Sequence, residues 1–181
     1  EDLSKCEKTW HVSAEGKIRD LATWKRNAGA GYLVSRSAVS LALKLPAVIK
    51  CNLDPPSLPI GKQRLFFFPD FVLVIQGHSA GAIAYSEFRV GVQQARYIET
   101  ERVPSDAQVI DHTWQHPNKK GGPDRRFAFN KRIPVCLYEE AHLTSQTGLN
   151  EVVQFSKTGA VARFASAARA LMKIGPAAHY H

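Results

Sequence analysis

Gln63–Val92 reads QRLFFFPDFVLVIQGHSAGAIAYSEFRVGV, and this stretch decides the fold. It is apolar from Leu65 to Ile75 except at Pro69-Asp70, which divides it into two pieces of strand length. The longest apolar run, Phe66 to Ile75, is too short for the roughly 20 residues that cross a bilayer as a helix. Gly77 to Gly81 supplies a turn. Ala82 to Val92 then alternates, which predicts a strand with Ile83, Tyr85, Phe88, Val90 and Val92 facing inward. The alternation changes phase near Ser86-Glu87, as a β-bulge would make it do.

Working toward the N-terminus, Asn52 to Pro59 holds three prolines and is expected to be a connector, since proline cannot donate to a central ladder. Within Tyr32 to Ala47, Val39, Leu41, Leu43 and Leu45 alternate with smaller or polar residues at strand period. Thr9 to Val12 reads as a short strand and Glu15-Gly16 as a turn. Asn27 to Gly31 (NAGAG) reads as a loop, because a phosphate cradle requires a strand before it and a helix after it.

Working toward the C-terminus, Arg96 to Pro104 is a charged loop and Ala107 to Trp114 a strand. Ile133 to Thr144 and Leu149 to Phe155 form a strand pair joined by a turn at Gly148. The last element is a helix near residues 158 to 174. Val161, Phe164, Ala165, Ala168, Leu171 and Met172 make one apolar stripe, and Arg163, Arg169 and Lys173 lie opposite. Gly175-Pro176 ends it. The expected organisation is an N-terminal extension over 1–59, a main domain over 60–174 and a flexible tail over 175–181.

The chain has 181 residues, enough for one domain with a real core. It opens at Glu1 with no signal peptide, so it is expected to be a segment of a longer protein. Three cysteines, Cys6, Cys51 and Cys136, stand far apart without a C-x-x-C pair, which excludes a disulfide framework or zinc ribbon. Each reads as a small buried hydrophobe, and the compartment as reducing and cytoplasmic. The formal charge of +8 is unevenly spread. Lys119 to Arg132 carries +5 and Val152 to the end +4, leaving the remainder at −1. Charge concentrated in this way marks a surface that meets an anionic partner.

Leu65 to Val92, with its strand, short break, strand, small turn and the sequence Ile83, Tyr85, Glu87, Phe88, resembles the pattern of bacterial pleckstrin-homology-like and GRAM-like domains. The hairpin and helix of Ile133 to Ile174 extend that resemblance over roughly 60 to 174. It implies a mainly β fold, a PH-like curved antiparallel sheet or partly open barrel capped by the C-terminal amphipathic helix. It also implies a non-catalytic module of a larger bacterial protein, packed beside other domains of the same parent chain.

The segment His116 to Arg132 (HPNKKGGPDRRFAFNKR) is the candidate site. Lys119, Lys120, Arg125, Arg126, Lys131 and Arg132 supply cations, and arginine forks match phosphate oxygens. The N–H groups of Gly121 and Gly122 are candidates for an anion nest. Phe127 and Phe129 alternate and are expected to anchor the loop in the core. The partner would be a phosphate-bearing ligand, a membrane surface or an acidic protein. A nucleic acid stacking on Trp114, Phe127 or Phe129 is the alternative. Against both stands a plain solvated hairpin in which Asp124 binds its own arginine neighbours.

No cofactor or metal motif is present. His112 and His116 stand four apart, but on a strand they would be about 13 Å apart, and a third ligand is lacking. Gly77 to Gly81 (GHSAG) spells a nucleophile elbow, so a serine hydrolase using Ser79 and His78 is a further alternative. That motif requires a strand leading into a helix. Cys136 lies in an apolar strand, where a thiol is unreactive. Glu139 and Glu140 point to opposite faces and cannot act as a pair.

Overall fold

The computed structural model describes residues 3–17, 19, 27, 32–46 and 49–174. The protein is mainly β, with eleven strands and one C-terminal helix among the described residues. The strands are β1 (Thr9–Lys17), β2 (Tyr32–Val39), β3 (Ala42–Leu43), β4 (Pro56–Ile60), β5 (Gln63–Phe67), β6 (Phe71–Gln76), β7 (Ser79–Ala84), β8 (Phe88–Ile98), β9 (Gln108–Trp114), β10 (Arg132–Ser145) and β11 (Asn150–Phe155), and the helix is α1 (Ala160–Ile174). They form two sheets, and every pairing is antiparallel.

The smaller sheet is a meander in the order β3-β4-β5-β6-β7. Its middle explains the uninterrupted apolar run. Leu65, Phe67, Val72 and Val74 point into the main core, while Phe66, Phe68, Leu73 and Ile75 point to the other side, where Leu45 and Ile49 cover them. A strand buried on both faces has no polar face to show. Phe68 and Phe71 stack at 5.1 Å across the bend that Pro69-Asp70 makes. Gly77 takes φ 58° in the two-residue turn that pairs Gln76 with Ser79, a conformation suited to glycine.

The larger sheet runs β2-β1-β11-β10-β8, with β9 lying on the β11 side of β10 along its first residues. Four strand spacings of about 4.8 Å would separate β2 from β8 by about 19 Å if the sheet were flat. Instead Arg36 of β2 reaches the ring of Tyr97 in β8, 3.6 Å from its guanidinium carbon. The sheet is strongly curled into a half-barrel, and the face that carries Arg36 and Tyr97 is its concave one.

On the convex face, Ala141, Leu143, Val153 and Phe155 meet Leu58, Ile60, Leu65 and Val72 of the meander and Val161 and Ala168 of α1. Burying each large apolar side chain here contributes roughly 1.5–3 kcal/mol. The helix is also tied at its start, where Val161 N–H donates to the buried Glu139 carboxylate at 2.8 Å. A carboxylate at a helix N-terminus satisfies an orphan donor and opposes the helix dipole.

Several expectations change. The proline-rich segment joins the meander as β4, because β3 covers only Pro56 and Ser57 and leaves Leu58–Ile60 as an edge where proline is tolerated. The phase change at Ser86-Glu87 is a turn carrying the chain from one sheet to the other, and not a bulge within one strand. β8 continues to Ile98, through residues read as a charged loop, and β1 continues through Glu15-Gly16. Val92 and Leu43 are exposed. The segment read as an extension supplies β1 to β4 to the two sheets, with β1 between β2 and β11. Residues 28–31 and 175–181, which hold most of the NAGAG loop and the whole tail, lie outside the described residues.

Candidate binding surface

The 116–131 loop is closed by its own hydrogen bonds. At its base Gln115 N–H donates to the Lys131 carbonyl (2.8 Å), and Asn130 both accepts from His116 N–H (2.9 Å) and donates to the His116 carbonyl (2.8 Å). Pro117 and Pro123 face each other in an isolated bridge. Asn118 is the hub of the tip. Its Oδ1 accepts from the N–H of Lys120 (2.8 Å) and of Gly122 (3.1 Å), and its carbonyl accepts from Gly121 N–H (3.0 Å). The expected anion nest is therefore not formed, since both glycine donors are used inside the loop. Gly121 instead supplies the φ of 83° that the tip requires.

The side chains behave differently from the backbone. Asp124 is buried and takes both arms of Arg126, Nε at 3.0 Å and Nη2 at 2.6 Å. Lys119, Lys120, Arg125, Lys131 and Arg132 are exposed and have no carboxylate partner among the described residues. The arginine pairing expected of a plain hairpin thus accounts for one cation of six. Arg132 stands over the Trp114 ring at 6.0 Å.

Phe127 and Phe129 do not reach the core. Phe127 is half-exposed and stacks flat on His116, with centroids 4.0 Å apart and planes 19° apart. Phe129 is 92% exposed. A phenylalanine left in water forgoes roughly 1.5–3 kcal/mol of burial.

An open groove of about 1140 Å³ begins at Lys131 and Arg132 and reaches the concave face at Glu140 and Gln154. Gln93, Gln94, His112, Thr113 and Gln115 line its walls, so its surface is rich in amide and hydroxyl groups. Beside it lies a network that the sequence did not reveal. Arg36 donates to Glu99 (2.8 Å) and to Gln154 Oε1 (2.9 Å), Tyr138 donates to Glu99 (2.7 Å), and Gln154 donates to Glu140 (2.9 Å). The Arg36 guanidinium lies between the rings of Trp10 (3.9 Å) and Tyr97 (3.6 Å). Its side chain is 8% exposed and that of Glu99 1%.

Burial pushes the Glu99 carboxyl up, but the hydrogen bonds from Tyr138 and Arg36 and the arginine charge outweigh it and hold the group below the ordinary carboxylate range. Burial, then the bond to Glu99, drives the Tyr138 hydroxyl far upward. These charges neutralise one another away from water, so the network holds the curl of the half-barrel. One signal for it was legible. Tyr138, Glu140 and His142 occupy alternate positions in β10, opposite to Leu137, Glu139, Ala141 and Leu143.

The other candidates fall apart chemically. Ser79 opens β7 and the chain continues as strand to Ala84, so no strand–helix elbow surrounds it. His112 is exposed on β9 and His116 lies under Phe127. Among the described residues, no three His, Cys, Asp or Glu side chains group as metal ligands. Cys136 is fully buried and burial raises its thiol pKa, whereas Cys51 is exposed, contrary to expectation. Glu139 and Glu140 serve opposite faces, the first at the helix and the second in the network. No described helix is long and apolar enough to cross a membrane.

Comparison with protein-family models, with curated proteins and with solved structures finds no match.

Proposed function

We propose that this chain is a non-catalytic, PH-like interaction module of a larger protein, holding an anionic partner on the 116–132 loop. The observation that carries the reading is the contrast inside that loop. Between His116 and Phe127 most backbone N–H groups donate within the loop and hold its shape before any partner arrives, yet five of the loop's six cations face solvent without a carboxylate partner among the described residues. A preorganised loop loses little entropy on binding. Each exposed cation adds about 1 kcal/mol near an anionic surface, so the cluster acts as a unit.

Heparin serves as a test polyanion. The chain is expected to elute from it at a salt concentration that falls clearly when Lys119, Arg125 and Lys131 are changed to Glu. The same reversal at Arg169 and Lys173, on the outer side of α1, is expected to shift elution less. Loop variants that elute with the parent chain would refute the assignment of the loop.

A further inference from the structure

We infer that the partner is a single-stranded nucleic acid, its phosphates on the cations of the 116–132 loop and its bases on Phe129, Phe127 and the groove beside them. This rests on the anionic-partner reading above and names the class of partner. Three observations favour it.

The loop offers flat aromatic faces as well as charge. Phe129 is 92% exposed, and Phe127 is backed by His116 so that its ring is held as a plane with its outer side half-open. Unstacked bases seek such planes, and phosphates seek the cations between them. Lys119, Lys120, Arg125, Lys131 and Arg132 surround both rings in sequence and have no acid of their own among the described residues. A duplex would keep its base faces inside the stack, leaving Phe129 without a partner.

The charge also leads somewhere. Lys131 and Arg132 belong both to the loop and to the rim of the open groove, which measures about 1140 Å³. Past them the walls carry Gln93, Gln94, Thr113 and Gln115, neutral groups that donate and accept hydrogen bonds as base edges do. Glu101 and Asp111 stand in the same groove, each beside a cation, Lys8 at 3.5 Å and Arg96 at 3.0 Å. A concave polar trough suits a flexible strand, and a flat headgroup plane cannot enter it.

The test uses the full chain and four probes: a labelled oligo-uridylate, its hybrid duplex, heparin, and vesicles containing phosphatidylserine. The oligonucleotide is expected to bind more tightly than the duplex, with affinity falling steeply as salt rises. Phe129→Ala is expected to weaken the oligonucleotide by roughly tenfold and to leave heparin unchanged. Lys131→Glu is expected to weaken both and to lower the salt slope by about one. Phe129 is almost wholly exposed, so its variant should keep the parent circular dichroism and melting temperature. If Phe129→Ala leaves the oligonucleotide affinity unchanged, if the duplex binds as well, or if vesicles bind more tightly than the strand, the nucleic-acid inference is overturned and the anionic-partner reading stands. If no probe binds, or loop charge reversals alter nothing, both are overturned.

Discussion

Arg36 and Arg132 both lie against an indole ring, and their surroundings are opposite. Arg36 is buried between Trp10 and Tyr97, bonded to Glu99 and Gln154, and its charge is consumed by the protein. Arg132 stands over Trp114 at the mouth of an open groove with no carboxylate partner among the described residues, and its charge is directed outward. An ionised group taken out of water demands a partner, because the interior does not solvate it. An exposed group keeps its water and makes no such demand. Proximity of arginine to an aromatic ring therefore does not separate a buried structural pair from an exposed cation. The presence of a counter-charge does.

The greatest expected effect comes from breaking the buried side of this contrast. Arg36→Met leaves Glu99 buried without its counter-ion and should cost about 3–5 kcal/mol of stability in urea unfolding. Combining it with Glu99→Leu should recover part of that loss, since it removes the uncompensated charge but leaves the Tyr138 hydroxyl without its acceptor. A double variant as unstable as the single one would show that the network is valued for more than charge balance.

The acid limb of stability gives a smaller effect. The Glu99 carboxyl is held below its unfolded value, so its contribution is complete above the ordinary carboxylate pKa of about 4.3 and is lost as pH falls through the lower folded value. The urea midpoint of the parent chain should fall on acidification below that range, and Glu99→Gln should flatten the fall. An unchanged acid limb in Glu99→Gln would assign the acid sensitivity to other carboxylates.

The least effect on stability is expected at the exposed side. Arg125→Glu with Lys131→Glu should change unfolding by no more than about 0.5 kcal/mol, as surface substitutions commonly do, while binding to polyanions weakens. A clear loss of stability would mean that these cations hold the fold, as Arg36 does.

Much of the architecture was legible in the chain. The strands read at Ala107 to Trp114, Ile133 to Thr144 and Leu149 to Phe155 correspond to β9, β10 and β11, and the apolar stripe from Val161 to α1. The prolines of β4 misled because an edge is a property of the sheet and is invisible in the strand. Ser86-Glu87 misled because a bulge and a turn between two sheets shift the alternation alike. Phe127 and Phe129 misled because a local pattern implies two faces and does not say that either is covered.

By itself the sequence determined where strands and helix form and that the cations crowd into residues 119 to 132, for these are local properties of period and composition. Only the tertiary structure decided what each face meets. Arg36 and Glu99, 63 residues apart, become partners because the sheet curls, and Phe129 stays in water because the loop closes on Asn118 and Asn130 without it. Chain period tells two faces of a strand apart. Their burial is set by the strands and side chains that arrive from elsewhere.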